Sequence, residues 1–240
     1  MSSSRTRLAP SPTGSLHLGN IFSFLINWAI ARQNNWTITL RIEDIDGPRK
    51  KTNTISQLLD ELQWLGINWD EEPVIQSENL KSSQAMLQNL IAKDLVYHCS
   101  LSRKELKQVL SAPHSDNSLK QPSNRPSNIK LHNANKPNEQ TNWRFISNQK
   151  PQTIRDELLG IQTYTSKEDF VVWTKSNVPA YQLAVVADDY RQDITHVVRG
   201  NDLMQSAFWQ EQLYEAMNWR KPSWLHLPLI VGPDGKRLAK

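Results

Sequence analysis

Arg7-Leu8-Ala9-Pro10-Ser11-Pro12-Thr13-Gly14-Ser15-Leu16-His17-Leu18-Gly19-Asn20 is the stretch on which the reading of this chain turns. It opens within a short segment at residues 6–9 that reads as a strand. It precedes a segment with Leu18, Ile21, Phe22, Leu25 and Ala29 at helical spacing, which reads as one apolar helix face. A strand that turns into a helix through Pro, Ser and Gly offers an anion the first helix amides and the positive end of the dipole. Gly19 would let a flat base approach the backbone, and His17 can donate to a phosphate oxygen. Alone, His-x-Gly is a weak signal, since a helix-capping histidine beside a turn glycine gives the same letters.

Outward from that turn, strand and helix patterns alternate. Residues 36–42 alternate apolar and polar with β-branched residues and read as a strand. Helices are expected at about 53–65, ended by Gly66, and at about 79–93, before a strand at Val96-Tyr97-His98. Residues 169–173, 194–198 and 225–231 read as strands and 202–217 as a helix. The fold class is therefore α/β, an open, mainly parallel sheet split by an insertion. Domain boundaries are expected at 1–96 for the first half of the sheet domain, 97–177 for the inserted subdomain and 178–240 for the second half. Within the insertion, residues 111–142 are rich in Ser, Asn, Pro, Gln and Lys and read as a poorly ordered polar loop.

The 240 residues are 38% apolar, with a mean hydropathy of −0.59. No apolar run reaches the roughly 18 residues of a membrane span. Residues 1–7 lead into Leu8-Ala9-Pro10 without an apolar signal region, so a cytoplasmic location is expected. Cys99 is the one cysteine, which excludes an intramolecular disulfide and leaves too few thiols for a cysteine-rich zinc module. The net charge is +4, but residues 101–155 hold ten Lys/Arg against three acids, so the remainder is −3. A local basic segment suits a polyanionic partner, or is a solvated basic loop. Trp28, Trp64 and Trp69 lie in or beside apolar-periodic segments and read as packing residues rather than base-stacking platforms.

Three further stretches carry chemistry. Glu43-Asp44-Ile45-Asp46 follows the strand ending at Ile42, where open α/β sheets bind ligands, and its acids suit an amino group. Tyr181 to Asp189 and His196 to Asp202 end two later units, so Tyr181, Asp188 and Arg199 could reach the same crevice. Arg199 suits a carboxylate. Gly235-Lys236-Arg237-Leu238-Ala239-Lys240 forms a basic end that could neutralise a leaving pyrophosphate.

Taken in order, these motifs resemble the class I glutamyl-tRNA synthetases, and within them the glutamyl-Q tRNA(Asp) synthetases. Arg7 to Asn20 matches the region of the HIGH motif, and Arg237-Leu238-Ala239-Lys240 matches the KMSKS motif. The resemblance implies a class I Rossmann-like sheet split by an acceptor-binding insertion. It implies that Arg7, Leu8, Ala9, Pro10, Ser11, Glu43, Tyr181 and Arg199 bind L-glutamate, that His17, Gly19 and Lys240 bind ATP, and that His17 and Lys240 are catalytic. It further implies ATP as substrate with Mg²⁺, transfer of glutamate to the queuosine base of tRNA(Asp), no membrane association and a monomer. Ile45 and Leu203 look like the glutamyl-Q type, and the length leaves no room for an anticodon-reading region. The alternatives are a truncated synthetase charging tRNA(Glu) and a tRNA-binding remnant without catalysis. The chain departs from the family at Asn20, at Ala239 and at the zinc site, where Cys99 is followed by Ser100-Leu101. Cys99 with His98, His114 and His132 would make an irregular set, so no metal site is expected.

Overall fold

A computed structural model describes residues 4–12, 14–45, 54–99, 141–166 and 168–233. Thr13, Asp46, nearly all of the polar loop at 111–142, and the basic end with Lys240 lie outside the described residues.

The sheet begins with β1 (Arg5–Leu8) and β2 (Thr37–Ile42), parallel and in register from Arg5 opposite Thr37 to Leu8 opposite Leu40. Helix α1 (Leu18–Gln33) connects them, and β3 (Val74–Ile75) adds a parallel edge to β2. On the other side of β1 runs β9 (His196–Gly200), where the Thr195 amide donates to the Arg5 carbonyl at 2.9 Å. Strand β10 (Ser223–Leu227) pairs in parallel with β9 along its length. These strands place the carboxyl ends of β1, β2 and β9 side by side, as the alternating pattern predicts.

Helices α2 (Thr54–Trp64) and α3 (Lys81–Ala92) match the expected spans closely. The end of α2 depends on Gly66, whose φ of +73° closes the turn. The hairpin of β6 (Gln152–Asp156) and β7 (Gly160–Tyr164) gave no clear sequence signal; its strands mix apolar and polar residues without a clean period. Strands β4 (Val96–Cys99), β5 (Asn142–Phe145) and β8 (Phe170–Trp173) form an antiparallel sheet. Two helices complete the fold, α4 (Tyr181–Arg191) and α5 (Met204–Met217).

Four expectations need correction. The inward face of α1 is Phe24, Leu25, Trp28 and Ala31, not the stripe through Leu18 and Ala29. Leu18 is 55% exposed, because the sheet meets the helix one residue around from the most apolar line. Tyr181 to Asp189 is a helix with residues 182–189 buried, not the end of a strand unit; buried on all sides, it shows no amphipathic period. The last strand spans Ser223–Leu227 and stops before Pro228, which has no amide for a ladder. Trp28 and Trp69 pack on the core as expected, but Trp64 is 85% exposed.

Two cores result. One joins Leu8, Ile38, Leu40 and Ile42 of the sheet to Leu58 and Leu62 of α2. The other unites Trp143, Phe145, Phe170 and Val172 of the antiparallel sheet with Leu183 of α4 and Phe208, Leu213 and Tyr214 of α5. No helix among the described residues is long and apolar enough to cross a membrane.

Candidate active site

The turn between β1 and α1 is pinned from three sides. Gly14 sits at φ +124°, a conformation that side chains oppose. The Leu16 amide donates to Glu61 of α2 at 2.8 Å, and the Glu43 amide donates to the Pro10 carbonyl at 3.0 Å. His17 caps α1, its Nδ1 accepting from the Asn20 amide at 3.3 Å. The capping role and the phosphate role are therefore compatible: with Nδ1 accepting, the neutral ring carries its proton on Nε2.

Two adjoining cavities open at the carboxyl ends of the strands. The inner one, about 140 Å³, is lined by Arg7, Ala9, Gly19, Glu43, Tyr181 and Arg199, with Gly200 and Asp202 among the rest. The outer one, about 670 Å³, shares Ala9, Glu43, Tyr181 and Asp202 and adds Pro10, Ser11 and His17. The structure thus gathers Arg7, Ala9, Glu43, Tyr181, Arg199 and Gly19 at one cavity, with Pro10, Ser11 and His17 next door. Leu8 lines neither, since strand alternation turns its fully buried side chain into the core beneath. Asp44 also turns away, accepting from the Ser77 amide and hydroxyl at 2.8 and 2.6 Å.

Behind the inner cavity lies a buried ion network. Asp189 takes Arg7 Nε at 3.2 Å and Arg41 Nη1 at 2.7 Å, and Arg41 Nη2 meets Glu43 at 3.0 Å. Burial pushes the Asp189 carboxyl up, but the Arg41 and Arg7 guanidiniums outweigh it and hold it below the usual carboxylate range. Glu43 goes the other way: burial raises its carboxyl, and Arg41 and Arg7 offset this only in part. Burial likewise raises the Tyr181 phenol, which stays a neutral donor. Three guanidiniums, Arg7, Arg41 and Arg199, stand with the carboxylates of Glu43 and Asp189, and Asp202 lines the same cavity, so groups suited to carboxylates and to an ammonium lie side by side.

Arg199 is fixed by three bonds: Nε to His226 Nε2 at 3.1 Å, Nη1 to Gln210 at 2.9 Å and Nη2 to the Leu203 carbonyl at 3.2 Å. Its guanidinium also lies over the Trp224 ring at 4.9 Å. Of its five N–H groups three are thereby used, and two remain for the cavity it lines. Burial and the Arg199 charge push His226 down to about 4, so its ring is neutral near pH 7.

Sequence reasoning missed Asp189, Arg41 and His226. It chose Asp188, which instead accepts from Gln76 at 2.9 Å and pairs with Arg191. One helical step of about 100° separates the two faces. Arg41 opened the Arg41–Asp46 stretch that matches the family but was given no role at the site, and it is fully buried. Gly200 has a specific reason to be glycine: a Cβ there would stand 2.6 Å from Asp202 Oδ1 and 3.3 Å from Leu229. Because the closest atom is a carboxylate oxygen of the Asp202 side chain rather than backbone, Gly200→Ala is expected to destabilise by about 1 kcal/mol. It should displace that carboxylate and shrink the inner cavity, which denaturant unfolding beside ligand calorimetry checks.

No group of three or more His, Cys, Asp or Glu that could hold a metal occurs among the described residues. The His98 ring packs at a 40° tilt against Trp143, centroids 3.7 Å apart, and shares a hydrogen bond with Thr141. Cys99, the next residue of β4, points to the opposite face by strand alternation. His114 and His132 lie outside the described residues.

This is the class I aminoacyl-tRNA synthetase catalytic fold. The glutamate–tRNA ligase of Elizabethkingia meningosepticum, crystallised in complex with its amino acid, superposes on 99% of this chain and 52% of its own, with a TM-score of 0.81 and 28% identity. The family described as tRNA synthetases class I (E and Q), catalytic domain, matches residues 3–240, and the chain belongs to it. A glutamyl-Q tRNA(Asp) synthetase of Rhodopirellula baltica is 39% identical over 100% of this chain and 77% of its own length. Glutamate–tRNA ligase 2 of Parvibaculum lavamentivorans is 35% identical over 98% of this chain. The chain spans about half the length of such ligases, 48% in that case.

Proposed function

We propose that this chain activates L-glutamate with ATP and passes the glutamyl group to the queuosine base of tRNA(Asp). The observation that carries the reading is the inner cavity, where Arg7, Glu43, Tyr181 and Arg199 converge beside the turn that presents His17 and Gly19. Arg7 and Arg199 hold the glutamate carboxylates, Glu43 the ammonium, and Tyr181 donates from its phenol. Ala9, Pro10 and Ser11 form the wall between amino acid and nucleotide. One carboxylate oxygen attacks the α-phosphorus of ATP in line, giving glutamyl-adenylate and pyrophosphate. The protein contributes positioning and charge, with His17 Nε2–H on the phosphates and Lys240 assigned from the KMSKS resemblance. Mg²⁺ bound to ATP would screen the phosphate charge. A nucleophilic oxygen of the RNA then takes the glutamyl group and AMP leaves.

The glutamyl-Q acceptor is supported by Ile45 and Leu203 and by the 77% coverage of the Rhodopirellula baltica protein. A second reading, charging of tRNA(Glu), is favoured by the equal ease with which the chain matches the catalytic half of glutamate–tRNA ligases. Pyrophosphate exchange separates them. Exchange dependent on glutamate and free of RNA is expected, and His17→Ala should abolish it at a folding cost of about 1 kcal/mol for the lost cap. Exchange that appears only when tRNA is added would favour tRNA(Glu) charging. Binding of RNA without binding of ATP or glutamate would leave a remnant.

A further inference from the structure

The orientation of Arg199 is set from outside the cavity, in the β6–β7 hairpin. Asp156, the last residue of β6, has a fully buried side chain. Its Oδ1 accepts the amides of Leu158 and Leu159 at 3.0 and 2.9 Å and so closes the hairpin turn. Its Oδ2 accepts the His226 amide at 3.1 Å and lies 2.7 Å from His226 Nδ1. Across the same ring, Nε2 is 3.1 Å from Arg199 Nε. An arginine Nε–H only donates, so Nε2 must accept; the neutral ring then carries its proton on Nδ1 and donates to Asp156. Every link has a fixed polarity: Arg199 donates to His226, and His226 donates to Asp156. Gln210 and the Leu203 carbonyl hold the other two nitrogens, which leaves the guanidinium one direction.

We propose that Asp156 and His226 are positioning residues that aim Arg199 into the amino-acid cavity by locking the imidazole in its Nδ1–H tautomer. The proposal rests on the reading of Arg199 as a carboxylate ligand. It makes the inserted hairpin part of amino-acid recognition, although no hairpin residue reaches the cavity.

Asp156→Asn tests it at constant volume. With the amide oxygen closing the turn, the NH2 replaces Oδ2: it leaves the His226 amide without its acceptor, donates to Nδ1, moves the ring proton to Nε2, and sets N–H against N–H at Arg199. Calorimetry on the full chain should show glutamate binding weakened about tenfold or more, in line with loss of one hydrogen bond to a charged group, with ATP binding unchanged. Nitrogen-15 NMR of the His226 ring should report Nδ1–H in the parent and Nε2–H in the variant. His226→Gln offers Arg199 an acceptor oxygen and should retain more glutamate affinity than His226→Leu; this pair decides the matter if Asp156→Asn does not fold. An Nε2–H tautomer in the parent, a flipped tautomer with unchanged glutamate affinity, or equal losses in the Gln and Leu variants would overturn the proposal. If the parent binds no glutamate, the functional reading fails, while the ring tautomer and its flip still judge the relay.

Discussion

Asp189→Asn is expected to cost about 3–5 kcal/mol of folding stability, the usual penalty for breaking a buried ion pair by removing one partner. The Asp189 side chain is 1% exposed and joins two guanidiniums that are 4% and 0% exposed. An amide can accept a hydrogen bond from each, but it leaves Arg7 and Arg41 with Glu43 as the one anion bonded to their network. Denaturant unfolding at neutral pH reads the loss. The pH dependence follows from the same geometry. The folded Asp189 pKa lies below the unfolded one, so its contribution is complete above the ordinary carboxylate value of about 3.9 and drains away as pH falls through the folded value. The gap between parent and variant should therefore close on the acid side. A gap that stays constant with pH, or a variant as stable as the parent, would show that Asp189 is not the anion holding the two arginines.

Arg199→Lys is expected to weaken glutamate binding by about 10–100-fold while leaving ATP binding unchanged. A lysine keeps the charge but gives up the planar fork. It cannot satisfy His226 Nε2, Gln210 and the Leu203 carbonyl while also facing a carboxylate, and it loses the stack on Trp224. Calorimetry with glutamate and with ATP, taken separately, distinguishes the specific effect from general damage. Equal losses for both ligands would mean a distorted fold, and no loss for glutamate would remove Arg199 from the amino-acid site.

The parallel sheet was legible because β2 alternates apolar and polar residues, many of them β-branched, and because β1, β2 and β9 each end at a stretch of unusual chemistry. Glu43, Tyr181 and Arg199 could be chosen from the residues, and Arg7 from the family resemblance; the structure brings all four to one cavity. What stayed hidden depends on direction rather than residue type. Whether Asp188 or Asp189 faces the arginines is a matter of helix rotation, and α4 is buried on every side, so no apolar stripe marks its phase. Arg41 reads as an outward residue of an alternating strand, and only the approach of α4 over β2 makes it an interior one. His226 lies in a segment whose letters carry no motif; its meaning comes from Asp156, 70 residues away.

The second hydrophobic core has a further implication, for how separable the parts of the chain are. Phe145, Phe170 and Val172 of the antiparallel sheet and Phe208 and Leu213 of α5 occupy one packed cluster, and α4, which carries Tyr181 and Asp189, rests on it. The antiparallel strands therefore have no interior of their own; they share one with the helix that carries Tyr181 to the inner cavity. A graft of either part without the other would arrive with half a core.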